Sequence, residues 1–367
     1  MLSNPSNSGF PEGHALESQP TGFAPKSEDQ VIEEKLPEFM KIDATAHEKD
    51  KQEYKVAIRK RLYLKNLLVA FVAEFAGTFL FLFFSFGIAT QASNAGDADV
   101  QQTNTDGSLN TNAPPNTPVL LYSSLGFGFS LAVNAWTFYR ISGGLFNPAV
   151  TLALTLTGTL TWYKCIILTF SQIAGAIAAA AASTAILPGP VNARTTLSNG
   201  ISIPQGLFLE FFLTAQLIFA IFMLAAEKHR GTFLAPVGIG LALFIGELLG
   251  TNYTGGSLNP ARSLGPDVVL GKFDQYHWIY WVGPYAAAIF TAGFYQLLKY
   301  FQYETVNTGQ DADETKQILR DPYGRIIGAI DLIDAIDFHY ETPEETTGLI
   351  NKDRSVSKDS SKGILPI

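Results

Sequence analysis

Charge is scarce in this chain. Lys, Arg, Asp and Glu make up 16% of its 367 residues, against ~25% in ordinary soluble domains. The charges are also segregated: residues 1–65 and 301–367 hold most of them, and the stretch between is apolar with short polar interruptions. A conventional soluble fold is excluded by that pattern. The net charge is −8 and no dense basic stripe is present to neutralise phosphates, which argues against a nucleic-acid partner. Cysteine is nearly absent, and with Cys165 alone no intrachain disulfide framework can form. Histidine is sparse as well. His14, His47, His229, His277 and His339 all lie outside the apolar stretches, and no metal cluster or nucleophilic triad is visible, so no metal, cofactor or enzymatic activity is expected. Finally, Met1 to about Gln52 lacks the apolar core of a signal peptide, so insertion must rely on an internal helix.

What is abundant is apolar sequence, 47% of the chain. A helix needs ~20 mostly apolar residues to cross ~30 Å of hydrocarbon. Six stretches qualify, roughly Asn66 to Thr90, Val119 to Phe138, Cys165 to Leu187, Leu207 to Ala226, Leu234 to Gly250 and Trp278 to Tyr300. Trp162 and Tyr163 before the third, and Trp278, Tyr280 and Trp281 at the start of the last, suit the bilayer interface. Lys55, Arg59, Lys60, Arg61 and Lys65 precede the first span, and Lys228 and Arg230 separate the fourth from the fifth. The stretch from Gln91 to Pro118 has no Lys or Arg, and that from Pro188 to Pro204 has only Arg194. By the positive-inside bias both tails are expected in the cytoplasm. The Gln91 to Pro118 stretch, rich in Asn, Thr, Asp and Pro, is expected outside and largely irregular. The chain divides accordingly into an N-terminal tail (1–64) expected to be mostly disordered, a membrane domain (65–300) and a C-terminal tail (301–367).

Two apolar segments are too short to span and open with one tripeptide: Asn147-Pro148-Ala149 and Asn259-Pro260-Ala261. A glycine pair precedes each at the same spacing, Gly143-Gly144 and Gly255-Gly256. Glu74-Phe75 with Thr78 likewise matches Glu210-Phe211 with Thr214. The membrane domain is therefore two related halves, about 65–187 and 205–300. With three spans per half, the second must enter the bilayer in the opposite sense, which makes them inverted repeats. Asn is a favoured N-cap and Pro a favoured first helical residue, so each tripeptide starts a half-helix. Irregular backbone at mid-membrane is tolerable only inside protein or along a water-filled path, so two half-helices meeting there imply a pore or a binding cavity. The expected fold is an all-α membrane protein of six transmembrane helices and two re-entrant half-helices.

Over roughly Val69 to Gln296 the sequence resembles the aquaporin, or major intrinsic protein, family. Both Asn-Pro-Ala boxes, Glu74 and Glu210, the stretch YTGGSLNPARSLGP and HWIYWVGP from His277 to Pro284 carry the likeness. The long polar tails are similar to those of fungal members. The resemblance implies a passive channel for water or small neutral solutes, a homotetramer with one pore per subunit, and a plasma-membrane location. It gives Arg262 a place at the pore mouth, where a fixed charge repels cations, and the general scheme of a pore arginine with half-helix dipoles is an established one. Phe127, 20 residues before Asn147 (147 − 127 = 20), falls where water-selective members carry an aromatic wall. Asn147 and Asn259 are expected to cap their helices through the side-chain oxygen and leave the NH2 free to donate to passing water.

Glu247 departs from the family pattern, standing where water-specific members have His and glycerol-conducting members Gly. Two arrangements are open for it: an ion pair across the mouth with Arg262, which would favour a donor solute such as hydrogen peroxide, or a polar network behind the pore wall. Gly256 replaces the Cys of mercury-sensitive relatives, and Ser263 replaces the Asp usual in glycerol conductors. Glu74 and Glu210 resemble the family's buried acids that brace the loops carrying the half-helices, although intramembrane acids also serve proton-coupled transporters. A secondary transporter, which shares inverted repeats and broken helices, is the rival reading. An N-terminal tail plugging the cytoplasmic mouth, a pH-responsive loop at Lys228-His229-Arg230 and phosphorylation at Ser355 or Ser357 are further expectations.

Overall fold

A computed structural model of the chain describes residues 51–99, 116–227, 230–307, 316–320 and 326–331. The expected tail plug (1–50), Lys228, His229, Ser355 and Ser357 lie outside the described residues. The chain divides into two units, Met1–Leu68 and Val69–Ile367. The described part of the first unit, 51–68, is helical, and every contact described below lies within the second.

Helix α1 runs Lys51–Asp99, 49 residues, well past the Asn66 to Thr90 expected of the first span. The N-terminal tail therefore becomes helical before residue 64, and Gln91–Asp99, expected to be irregular, continues the helix. The reason is local: that stretch has no proline and contributes Ala92, Ala95 and Ala98, the best helix former. Helices α2 (Thr117–Phe138), α4 (Trp162–Ile186), α5 (Ile203–Ile221) and α6 (Ala235–Gly250) follow, with α8 (Ile279–Tyr300) closing the bundle. Ser202 and Gln205 start α5 with a reciprocal capping box. That helix ends in a π-turn, Phe222–Ala226. Between the spanning helices sit two short ones, α3 (Pro148–Leu156, 9 residues) and α7 (Pro260–Leu270, 11 residues). At 1.5 Å per residue neither reaches across ~30 Å of hydrocarbon.

Among the described residues five helices are both long and apolar enough to cross a membrane. The sixth, α8, has the length of 22 residues, but Tyr280, Trp281, Tyr285, Tyr295, Gln296 and Lys299 make it less apolar. A two-stranded antiparallel ribbon, β1 (Lys316–Arg320) with β2 (Ile326–Asp331), follows α8 in the sequence.

The halves pack as an inverted pair. Helix α2 lies along α6 and α5 along α8, while half-helix α7 sits against α4 and half-helix α3 against α8. Small residues set these approaches, as they do where helices pack without a hydrophobic drive. The α2–α6 crossing rests on Gly128 and Gly240: a Cβ on Gly128 would come 2.8 Å from the Gly240 carbonyl oxygen, and one on Gly240 2.5 Å from that of Gly128. Their separation in sequence equals that of Asn147 and Asn259 (259 − 147 = 112), so the contact lies at equivalent places in the two halves. Outward, the helices present large apolar side chains such as Phe129, Phe170, Phe212 and Ile245, each at least half exposed. The chain is an integral membrane protein.

Candidate pore

Each half-helix begins with the same small apparatus. Asn147 and Asn259 are extended N-caps followed by proline, and their Oδ1 atoms accept from the backbone N–H of Ala149 (2.9 Å) and Ala261 (3.0 Å). Pro148, Ala149, Pro260 and Ala261 are buried in the first turns. The residue before each Asn, Phe146 or Leu258, has a φ of 50°, a left-handed conformation that is costly for a bulky side chain and persists only when its surroundings enforce it.

The buried carboxylates of Glu74 and Glu210 supply that enforcement. Glu74 accepts from the N–H of Phe146 (2.9 Å) and Leu145 (3.1 Å), and Glu210 from that of Leu258 (2.8 Å) and Ser257 (3.0 Å). A hydroxyl completes each set: Ser142 Oγ donates to Glu74 and Thr254 Oγ1 to Glu210, both at 2.6 Å. Gln172 adds a bond from Nε2 to Glu74 at 2.8 Å, whereas Tyr280 ties the second loop through its hydroxyl to the Thr254 carbonyl, also at 2.8 Å. Sequence reasoning missed Ser142, Thr254, Gln172 and Tyr280. The two hydroxyls do stand at matching positions ahead of the tripeptides, and that was the available signal.

With Phe146 and Leu258 so twisted, their carbonyls meet the opposite half. Asn147 Nδ2 donates to the Leu258 carbonyl and Asn259 Nδ2 to the Phe146 carbonyl, each at 2.8 Å. This corrects the expectation that both NH2 groups are free: each amide has two hydrogens and commits one across the junction, leaving one. Both Asn residues border one cavity of about 360 Å³, whose wall also includes Tyr139, Leu160, Phe127, Glu247 and Arg262.

Arg262, 4% exposed, donates from Nη1 to the Ala193 carbonyl at 2.5 Å and from Nη2 to the Gly255 carbonyl at 3.1 Å. Its guanidinium carbon lies 4.7 Å from the centre of the Phe127 ring and 5.6 Å from that of Phe86, within cation–π range. Glu247 makes no ion pair with Arg262 among the described residues. One oxygen of its carboxylate accepts from Thr251 Oγ1 at 2.7 Å, and the other, Oε1, is buried without a protein partner. Gly256 makes room for this group. Its φ is +60°, and a Cβ there would fall 2.0 Å from Glu247 Oε2. Gly256 does not itself line the cavity. Ser263 is buried with its hydroxyl 2.6 Å from that of Ser257.

A second polar cluster, which sequence reasoning missed, lies beside Ala193. Arg194 donates from Nε to Asp267 Oδ1 and from Nη2 to Asp274 Oδ2, both at 2.7 Å, and from Nη2 to the Lys272 carbonyl at 3.1 Å. Burial opposes the charge on Arg194, but the carboxylates of Asp267 and Asp274 outweigh it and hold the guanidinium above its ordinary range. The other Asp267 oxygen is 2.8 Å from His277 Nδ1, and Trp281 Nε1 donates to His277 Nε2 at 3.1 Å.

Comparison with known proteins places this arrangement. The family model for major intrinsic proteins matches residues 62–295. A protein named Aquaporin-7, from Botryotinia fuckeliana, is 56% identical over 266 residues, covering 72% of this chain and 56% of its own. One named Probable aquaporin-5, from Gibberella zeae, is 49% identical over 261 residues, covering 71% and 47%. The chain thus spans about half the length of these curated relatives. Among solved structures, the X-ray structure of the aquaglyceroporin from Plasmodium falciparum has the same fold, with a TM-score of 0.50 at 21% identity, covering 62% of this chain and 95% of that one.

Proposed function

The chain belongs to the major intrinsic protein family, and we propose that it is a passive transmembrane channel for water. One observation carries the reading: the reciprocal bonds between Asn147, Leu258, Asn259 and Phe146 bring two asparagine amides to the wall of a single cavity. Each amide keeps one N–H to offer a water oxygen, so a water held there turns its hydrogens away and the proton-hopping file is broken. The N-terminal ends of α3 and α7 point at the same place and disfavour cations. At the mouth, Arg262 adds a fixed positive charge and Phe127 a bulky wall. Glu74 and Glu210 act as braces of the two loops rather than as proton carriers, since their oxygens are engaged by backbone N–H groups and hydroxyls. The four half-helix residues Pro148, Ala149, Pro260 and Ala261 fix the start and direction of the stubs.

The test is osmotic shrinkage of liposomes containing the purified chain. Flux linear in the gradient with a low activation barrier supports the channel, whereas saturable, proton-dependent uptake points to a transporter. By family likeness, the assembly is a homotetramer in the plasma membrane with both termini cytoplasmic; crosslinking in the bilayer and protease access from either side check these points.

A second reading concerns solute range. Glu247 borders the cavity and its Oε1 is buried without a protein partner; turned toward the cavity, that oxygen is an acceptor suited to small neutral solutes that donate hydrogen bonds, such as hydrogen peroxide. A solute panel of water, glycerol and hydrogen peroxide on wild type and Glu247→His decides it: the peroxide-to-water ratio falls in the variant if Glu247 favours peroxide, and is unchanged if it does not.

A further inference from the structure

Arg194 is the sole basic residue between Pro188 and Pro204, and it does not line the cavity. Its backbone neighbour does the opposite job. Ala193 gives its carbonyl to Arg262 at 2.5 Å, while Arg194 reaches Asp267 at 2.7 Å. Arg262 and Asp267 sit on the same half-helix, α7. Two consecutive loop residues therefore grip α7 at two points, one through a carbonyl and one through a guanidinium.

The grip is built from groups that are expensive to bury alone. Asp267 has a side chain only 1% exposed, and a carboxylate so placed is costly unless paired and hydrogen-bonded. Arg194 satisfies one of its oxygens, and His277, held in orientation by Trp281, satisfies the other. Asp274 and the Lys272 carbonyl anchor the far side of the guanidinium. Behind the loop, Gly255 packs so closely that a Cβ would meet Thr195 Cα at 2.8 Å, and the Gly255 carbonyl is the second acceptor for Arg262. Any shift of residues 193–195 must therefore be felt by both acceptors of that arginine.

We infer that Arg194 and Asp267 are positioning residues for Arg262: together they fix the Ala193 carbonyl, and through it the place of the guanidinium at the pore mouth, and so set which solutes pass. The inference rests on reading Arg262 as part of the constriction. Other bonds hold the loop independently, from the Asn192 N–H to Thr90 Oγ1 at 3.1 Å and from the Ser198 N–H to the Tyr253 carbonyl at 2.9 Å. Loss of the clamp thus loosens one carbonyl rather than unfolding the segment, and its signature is altered selectivity.

The experiment uses the full chain in liposomes, with water and glycerol fluxes measured by light scattering for Arg194→Ala, Arg194→Lys, Arg262→Val and Arg194→Ala combined with Arg262→Val. The glycerol-to-water ratio should rise at least about twofold in Arg194→Ala. It should rise less in Arg194→Lys, whose compact ammonium replaces only part of the two-carboxylate grip. In the Arg262→Val background Arg194→Ala should add nothing, because a residue acting through another loses its effect when that residue is gone. An unchanged ratio in Arg194→Ala alongside an altered one in Arg262→Val overturns the clamp and leaves the constriction standing. An unchanged ratio in Arg262→Val overturns the constriction itself. Should Arg194→Ala fail to assemble, Arg194→Lys and Asp274→Asn each weaken one arm, and a wild-type ratio in both overturns the clamp.

Discussion

Asn147 donates through Nδ2 to the backbone carbonyl of Leu258 at 2.8 Å, and this bond, with its mirror from Asn259 to Phe146, makes each asparagine a fastener of the other half as well as a residue of the cavity wall. Its side-chain oxygen is meanwhile spent on the N-terminus of its own helix. One residue thus joins three parts of the junction, which explains why a short polar side chain stands there and what its loss would do.

Asn147→Asp keeps the capping oxygen but replaces the donor with a second acceptor facing the Leu258 carbonyl. Leaving a buried carbonyl without its donor costs about 1–3 kcal/mol. Thermal unfolding in detergent should therefore fall by several degrees, and water flux should drop in step with assembled protein or further. A variant as stable and as permeable as wild type would contradict the bracing.

Glu210→Gln removes a charge that accepts two backbone N–H groups and the Thr254 hydroxyl. The amide offers one acceptor oxygen in place of two, so a similar loss of about 1–3 kcal/mol is expected. Glu74→Gln should cost at least as much, because Glu74 accepts from the matching two backbone N–H groups and hydroxyl and from Gln172 Nε2 as well. If Glu210→Gln keeps its thermal stability but makes water flux independent of an imposed proton gradient that alters the wild type, the acid is a proton carrier after all.

Gly256→Cys should assemble poorly, since its Cβ would fall 2.0 Å from Glu247 Oε2 and the positive φ is unfavourable for any side chain. Combining it with Glu247→Ala removes the collision, and yield and water flux should partly recover. Equal defects in the single and double variants would show that backbone strain, not the carboxylate, is the obstacle.

Mercury salts should inhibit water flux little. Cys165 is 8% exposed and does not line the cavity, and Gly256 has no thiol. Strong inhibition that disappears in Cys165→Ser would place the thiol on the conduction path.

Much of this was legible in one dimension. The six spans read from the sequence all appear as helices of at least 16 residues, five of them long and apolar enough to cross a membrane, and the odd number of spans per half dictates the inversion of the second half. The repeated Asn-Pro-Ala marks two helix starts because capping and a proline at the first helical position are local rules. Even so, α1 overran its expected ends, since a composition window registers where apolar residues stop and the helix stops only where its backbone is broken.

The amino-acid order by itself determined the bundle, the two stubs and their opposed directions, all consequences of near-neighbour chemistry and of the solvent around the chain. Tertiary structure alone decided that the asparagine amides bind the opposite half, that Glu247 rests on Gly256 rather than on Arg262, and that Arg194 and Asp267 meet. Those contacts join residues far apart in sequence, and their geometry depends on backbone twist at Phe146 and Leu258 and on where loop 188–204 settles, which no local preference specifies.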